Sequence, residues 1–574
     1  MHKFLLFSVC MALALCSSSQ GTYIPLGSDA YNYIQRFDVK YSKILPIEHV
    51  ADKPYFRSKV AGVAEALMLS NLVFDPVQKY QLQWLADENA EWLDSIKSFN
   101  HRHPNWKLFQ EPATFARVNS KPKGLFDIRF NPMLEFHTGA ETQGSRFLFS
   151  RAVGVEVRGN IKRVFNFYFN VTGNSARLPE YVTNSTQNAV YNDYHAFVPG
   201  EGYFKTYASG VFGYKDAVDY FDARGYVNAN ILKYINLTFG RDKNFIGDGI
   251  RSLFLSDNSA PYLFLKFNLD ISRFHYEIIY AQLTGEYIRG ADQLLPQKYM
   301  AVHHLDVEAT HWLNVGLFES EVFSPFEPQY LNPIMFYKAV EAALGNADKE
   351  QIGADFKVNA ARHLSFYGQF LLDEFNFEHL VHHDGWWGNK YGIQFGMKYI
   401  DILPHLDGQL EFNIVRPYVY THEDTIDNYT NYNQPLAHPL GANFYEFIVN
   451  LHFQPLPRLS FNLKYFYARL GDDTLLPNKT LTNFGTDIFQ ATGASAQSVN
   501  SILGNSIGQG AKGGISYFQF LVNYELFHNM FLDADITIRT RTSTQSINNP
   551  TPTGTSAIFQ FGGRWNIPYK NYMF

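Results

Sequence analysis

The apolar positions of this chain change their period once. Between residues 54 and 98 they recur at helical spacing. Asp75-Pro76 reads as a helix start, with Asp as cap and Pro in the first turn. Val77, Tyr80, Trp84 and Leu85 follow at the same spacing, a stripe read as packing against a neighbouring helix over 55–69 rather than as a cofactor contact. Residues 22–50 are mixed and are expected to be extended. Pro104 and Pro112 mark a link. From about residue 124 the period falls to two. Phe126, Ile128, Phe130, Leu134 and Phe136 alternate with Asp127, Arg129, Asn131, Glu135 and His137. Phe165, Phe167, Phe169 and Val171 alternate with Asn166, Tyr168, Asn170 and Thr172. Met530, Leu532, Ala534, Ile536 and Ile538 oppose Asp533, Asp535, Thr537 and Arg539. The same rhythm runs through 390–399, 409–414, 445–454 and 459–467, each a strand with one apolar and one polar face.

No segment after the N-terminal leader offers the roughly 18 uninterrupted apolar residues of a spanning helix, so entry into a membrane requires a closed barrel. A soluble sandwich also alternates, and three details favour the barrel. The apolar faces are heavy with Phe and Tyr. Connections alternate short (454–458, 527–529) with long and polar (174–216, 423–440, 471–512), as periplasmic turns alternate with external loops. The last strand reads Ala557, Phe559, Phe561, Trp565 and Ile567 on one face, and the chain ends at the aromatic Phe574. The 574 residues less the first 124 leave about 450; at about 10 per strand and 15 per connection this predicts roughly 18 strands. The fold class is therefore mainly β, a transmembrane antiparallel barrel over 116–574 preceded by a small helical and extended periplasmic domain over 21–115. The charges on the inward faces are expected to pair with one another.

Composition sharpens this picture. Aromatics are 17% of residues (51 Phe, 37 Tyr, 7 Trp) and charged residues only 18%, yet mean hydropathy is −0.22. A bundle of membrane helices is excluded, and a chain alternating between lipid and water fits. The net charge of −6 gives no basic excess, which removes nucleic acid as a partner. Both cysteines, Cys10 and Cys16, lie in the leader, so the mature chain has no disulfide scaffold, Cys-zinc site or Cys nucleophile. Residues 1–20 read as a secretory signal peptide: His2 and Lys3, an apolar run from Phe4 to Cys16, then Ser17-Ser18-Ser19. Cys16 also admits a lipoprotein reading, against which stands Leu15 where a small residue is wanted.

Eight stretches carry a resemblance: YIPLGSDAY over 23–31, KPYFR over 53–57, FGRDKNFIGDG over 239–249, RSLFLS over 251–256, YLNP over 330–333, GQFLLDEF over 368–375, RPYVYTH over 416–422 and NQPLAHPLG over 433–441. In this order they resemble the capsule-assembly Wzi family in its Bacteroidetes form, and they cover most of the mature chain. The resemblance implies an outer-membrane barrel of about 18 strands with a helical domain on the periplasmic side. It also implies surface-polysaccharide binding, since the enterobacterial Wzi acts as a lectin that attaches capsule to the cell. The gliding-motility protein RemB is similar in type, which implies adhesion or motility as an alternative. A porin-like transport channel is the other alternative, from the wide lumen. The expected partners are capsular or surface polysaccharide, outer-membrane lipid, and the barrel-assembly machinery through Phe574.

Candidate chemistry is sparse. His379, His382, His383 and Asp384 precede Trp386-Trp387, which suits a sugar or metal site on a loop or, equally, an interfacial aromatic girdle. Arg416, Tyr418, Tyr420 and His422, with His438, flank a long loop rich in Tyr and Asn (Tyr429, Asn431, Tyr432, Asn433) that suits sugar recognition. The ligand-binding set is therefore Arg416, Tyr418, Tyr420, His422, Tyr432, His438, Trp386 and Trp387. Asp373-Glu374 are adjacent strand residues pointing to opposite faces, so they cannot form a glycosidase pair. Gly240, Gly247 and Gly249 lack a phosphate-loop pattern. Arg241, Lys243 and Arg251 are expected to pair internally. Asp472-Asp473 are too few for a calcium cage. Ser365 and His363 share a face without the elbow of a hydrolase. No cofactor, metal or enzymatic activity is expected.

Overall fold

The computed structural model describes residues 21–42, 49–93, 113–120, 125–186, 198–201, 213–214, 216–232, 234–285, 295–334, 336–345, 348–475, 481–492, 499–544 and 553–574. The leader with both cysteines, and the link holding Pro104 and Pro112, lie outside the described residues. Eighteen antiparallel strands close a barrel: β1 Phe126–Glu141, β2 Arg146–Ile161, β3 Phe165–Arg177, β4 Val218–Leu232, β5 Ile235–Asp242, β6 Tyr262–Ile271, β7 Phe274–Thr284, β8 Gln297–Thr310, β9 Leu313–Phe323, β10 Lys349–Ala361, β11 Leu364–Glu374, β12 Lys390–Leu403, β13 Leu406–Val415, β14 Phe444–Leu456, β15 Leu459–Asp472, β16 Ala511–Phe527, β17 Met530–Ser543 and β18 Gly554–Trp565. Each pairs with its chain neighbours, and β18 closes on β1 from Ile558↔Glu141 to Trp565↔Leu134. The short strand Ala116–Asn119 pairs with β1 from Ala116↔Phe130 to Asn119↔Asp127 and covers the part of that edge which β18 does not reach.

The two-residue period sorts side chains cleanly. Leu134, Phe136, Val153, Phe165, Phe169, Phe239, Phe559 and Phe561 face outward, whereas Asn166, Asn228, Thr238, Lys266 and Asn268 are buried inside. Among the described residues no helix is long and apolar enough to cross a membrane. The inward charges pair as expected: Asp127 with Arg117, Glu135 and Asp533 with His137, Asp533 with Arg564. One end of the barrel carries only tight turns, such as 162–164, 311–312, 404–405 and 528–529; the other carries the long loops 178–217, 243–261, 324–348, 416–443 and 473–510.

The helical head sits in the turn end. Residues 22–50 are not extended throughout: Ala30–Tyr41 forms a helix, α1, burying Tyr31, Ile34 and Phe37, whose spacing of three is helical. Arg57–Leu69 (α2) and Pro76–Glu88 (α3) follow the sequence reading, and Asp75 caps α3 through Val77 N and Gln78 N at 2.9 Å in a full capping box. The Tyr80–Trp84 stripe does more than pack helix on helix: Tyr80 and Trp84 both donate to Glu525 at the turn end of β16, and Trp84 stacks on His528 at 4.9 Å.

Charged pairs tie head to wall. Arg36 binds Asp401 and Asp407; Lys357 binds Asp38 at 3.1 Å; Glu88 takes Arg57 at 2.7 Å, Arg158 at 3.3 Å and His528 at 2.9 Å. The segment 49–57 climbs further up the lumen. There Asp52 takes His304 at 2.7 Å, and Asp52-Lys53 pair with Phe245-Ile246 of the descending loop 243–261.

The chain's end departs from expectation. The last strand stops at Trp565, so Ile567 and Phe574 are not strand residues. Residues 566–574 turn back into the lumen: Arg564 holds the Ile567 carbonyl at 3.0 Å, Arg251 the Met573 carbonyl at 2.6 Å, and Arg539 the Phe574 carbonyl at 3.1 Å. Phe574 packs on Tyr181 inside the barrel.

Candidate functional site

Loops 243–261 and 416–443 and the described parts of 473–510 fold inward rather than standing away from the barrel, and this sets where the predicted residues lie. Tyr418 and Tyr420 adopt positive φ (67° and 70°), which drives both rings down into the protein. Tyr418 is fully buried; its hydroxyl donates to the Asn483 carbonyl at 3.0 Å and accepts from Asn500 N at 3.1 Å. Tyr420 donates to the Leu253 carbonyl at 2.9 Å, stacks on Tyr429, and takes Asp373 on its backbone N–H at 2.7 Å. His438 is buried against Glu446 at 2.8 Å, and burial lowers its basicity. Arg416 caps the carbonyls of Trp386 and Asn505. Arg416, Tyr418, Tyr420 and His438 are thus buried among the inward-folded loops. His422 is half-buried and bonded within its own turn to Asp424; Tyr432 is half-buried at positive φ beside the Thr284 carbonyl.

The two tryptophans are also occupied. Trp386 stacks on His379 at 4.8 Å, and its ring lies against Gly388, where a Cβ would stand 2.4 Å from the indole. Trp387 is buried edge-on to Tyr418, with Lys390 Nζ 4.8 Å over its ring. His379 binds Asp384 at 2.6 Å, while His382 and His383 are exposed. Among the described residues no group of three ligands is gathered for a metal.

The structure assembles a different site. A cleft of about 60 Å³ lies inside the barrel between the returning tail and the inner faces of β1–β4 and β16–β18, reaching Leu178 and Pro179 at the loop end. Tyr220, Tyr569, Tyr572, Asn174, Gln519 and Lys570 line it, with Glu135 and Asp535. Tyr181, Tyr220, Tyr517 and Gln519, which anchor the tail, all line the cleft. Tyr517 donates to Asn571 at 2.9 Å, Asn571 to Gln519 at 2.6 Å, Gln519 to Asp535 at 2.7 Å, and Tyr181 to the Tyr572 carbonyl at 2.7 Å. Lys570 bonds Tyr220 at 2.9 Å and faces Glu201 at 3.7 Å; burial opposes its charge, but these neighbours hold its pKa above the ordinary lysine value. Burial pushes the Tyr572 phenol up, so it stays a hydroxyl. Half-buried phenol faces beside amides and hydroxyl acceptors can bind a polyhydroxylated ligand by stacking and hydrogen bonds. His137 is held on both ring nitrogens, by Glu135 at 3.2 Å and Asp533 at 3.1 Å, so it is an anchor and not a poised base. The sequence pattern carries the last strand on to Ile567 and gives the residues after it no role; the signal for the cleft is Tyr569-Lys570-Asn571-Tyr572 following a complete strand.

The remaining motifs resolve structurally. Asp373 binds Lys349 and Glu374 binds Lys390 at 2.9 Å, so the two carboxylates serve different lysines. Arg251 pairs with Glu446 at 3.1 Å; Arg241 and Lys243 donate to the carbonyls of Ala223 and Asp257. Asp472 pairs with Arg541 at 2.7 Å, and Asp473 takes Phe484 N at 2.6 Å. His363 lies in a turn on the Ile400 carbonyl, away from buried Ser365.

No family model matches this chain, and no curated protein sequence does. Among solved structures it is similar to Wzi of Escherichia coli, an outer-membrane protein involved in group 1 capsule assembly and described as a carbohydrate-binding β-barrel. That likeness has a TM-score of 0.53 and 12% identity, and covers 95% of this chain and 98% of that one. It also matches OprD of Pseudomonas aeruginosa (TM-score 0.39, 11% identity, 76% and 94% covered) and a BenF-like porin of Pseudomonas fluorescens (0.41, 8%, 76% and 98%).

Proposed function

We propose that this chain is an outer-membrane barrel that holds surface polysaccharide at its loop end without altering it chemically. The carrying observation is the filling of the lumen. The head enters from the turn end, loops 243–261 and 416–443 and the C-terminal tail enter from the other, and among the described residues a polar cleft walled by tyrosines and amides stays open between tail and wall. A channel needs a continuous wet path, so this filling weighs against a transport role. The outward rows of Phe, Leu and Val support seating in lipid. The likeness in fold to a carbohydrate-binding barrel agrees with the reading. Purified barrel passed over the host's own capsular or extracellular polysaccharide is expected to be retained; absence of retention, together with steady single-channel current in a planar bilayer, would favour transport instead. A deletion that leaves capsule attached but stops surface spreading would assign the same grip to motility or adhesion.

A further inference from the structure

The loop 324–348 between β9 and β10 does not stay at the loop end. It folds down the outside of the barrel as a strap: Tyr280 donates to the Leu331 carbonyl at 2.9 Å and Tyr276 to the Pro333 carbonyl at 2.8 Å. These phenols satisfy strap carbonyls that would otherwise face hydrocarbon without a donor. Tyr330 and Tyr337 pack with Ala301 and Phe323 on the wall, while Ile334 (85% exposed) and Phe336 (73% exposed) point away from it. Between strap and wall runs a crevice of about 150 Å³, lined by Phe239, Leu263, Leu265, Tyr299, Phe326 and Leu331 and almost wholly by carbon, with Gln282 as its one amide.

We propose that this crevice binds one acyl chain of a membrane lipid, clamped between the strap and strands β5–β8. The inference rests on the membrane reading above. The crevice is continuous with the outward apolar rows, since Phe239 and Leu263 belong to both. At such a place neither water nor empty space is favourable, because an apolar void forfeits dispersion contacts on one side and water would find no polar partners. The strap supplies a fixed second wall, so a chain held there is slower to exchange than the lipid around the rest of the barrel.

The full chain reconstituted in phosphatidylethanolamine vesicles containing a small fraction of acyl-diazirine phospholipid tests this by photolabelling and peptide mapping. Labelling of the strap and of the Tyr280 and Tyr299 peptides is expected several-fold above that of the more exposed Phe559–Phe561 row. Leu265→Trp, which fills the crevice, should bring it down to that level while leaving the Phe559–Phe561 signal unchanged; Leu263→Trp serves if the first variant fails to assemble. Equal labelling of strap and row, labelling indifferent to the filling variant, or strap-to-strap crosslinks between two copies would overturn the proposal. An absence of label on the Phe559–Phe561 row would instead sink the membrane reading beneath it.

Discussion

The two ends of the lumen are filled by different chemistry. At the turn end the head is held by buried ion pairs: Arg36 on two aspartates, Lys357 on Asp38, and Arg57 and Arg158 on Glu88. At the loop end the plug is held mostly by neutral groups: Tyr418 and Tyr420 on carbonyls, Asn443 on the Gly471 and Gln509 carbonyls, Gln434 on the Glu201 carbonyl, and Thr421 on Thr492. A buried charge that loses its partner is costly, whereas a hydroxyl or amide exchanges one acceptor for another at little net cost. The turn end is therefore built to stay shut, and the loop end to exchange one hydrogen-bond partner for another.

The strongest way to break this contrast is at Glu88. It accepts from Arg57, Arg158, His528 and Asn529 and is almost completely buried. Glu88→Ala leaves two guanidiniums without their shared carboxylate, and removing one partner of a buried pair typically costs about 3–5 kcal/mol. The expected result is a head that becomes protease-sensitive over 57–93 while the barrel keeps its heat-modifiable mobility on a gel. A head as resistant as wild type would show that the ion pairs are not what seats it.

The two ends should also answer pH with opposite sign. Burial opposes the Glu88 charge, but Arg57, His528 and Arg158 outweigh it and hold its carboxyl well below the ordinary range. A lowered folded pKa contributes stability that is present above the unfolded value and lost as pH falls through the folded one, so head docking should fail only in strong acid. At the loop end burial, with Asp424 and Asp348 nearby, pushes Asp427 up to about 7, and burial with Asp487 pushes Asp473 up to about 7. A raised folded pKa works the other way: the stability is full below the ordinary aspartate value and is lost as pH rises to about 7. Hydrogen exchange, corrected for intrinsic rates, should show loops 416–443 and 481–492 better protected at pH 5 than at pH 8, with head peptides unchanged over that interval. Asp427→Asn with Asp473→Asn should flatten the loop response.

This contrast was half legible in the sequence. Strand period and turn-versus-loop alternation depend on local residues, so β1, β3, β12–β15, β17, β18 and the Asp75 cap could be read directly. The loop motif over 416–422 drew attention for its Tyr and Arg, but composition does not tell a tyrosine facing solvent from one at positive φ facing the core. Only the fold places Tyr418 under Asn483 and Trp386 against Gly388. α1 was missed because Arg36, Asp38 and Lys40 interrupt its apolar spacing, and these charges find partners or cover only on the wall. The tail was missed because Asn566-Ile567-Pro568 continues an alternating rhythm past the end of hydrogen bonding.

Glycan affinity separates the predicted residues from those the fold selects. Tyr569→Ala and Tyr572→Ala each remove a phenol from the cleft, and an aromatic contact of about 1 kcal/mol corresponds to roughly a fivefold loss of affinity. Trp386→Ala should change affinity little, because that ring is already enclosed by His379 and Gly388. Titration of the host polysaccharide against the three variants, by tyrosine fluorescence or surface plasmon resonance, checks the order. The reverse order would move the site to the His379–Trp386 rim.

The smallest effect is expected where the head relies on its own sequence rather than on the barrel. Asp75 caps α3 through two backbone N–H groups, Gln78 returns the bond to Asp75 N, and the nearest wall group, His405, stands 3.8 Å away. Losing such a cap typically costs about 1 kcal/mol. Asp75→Ala should therefore raise exchange in the first turn of α3 by a local amount and leave the Glu88 end, and head docking, intact. If it instead frees the whole head as Glu88→Ala does, then α3 folds only as a unit with its dock, and the division between a locally encoded helix and a charge-held interface is wrong.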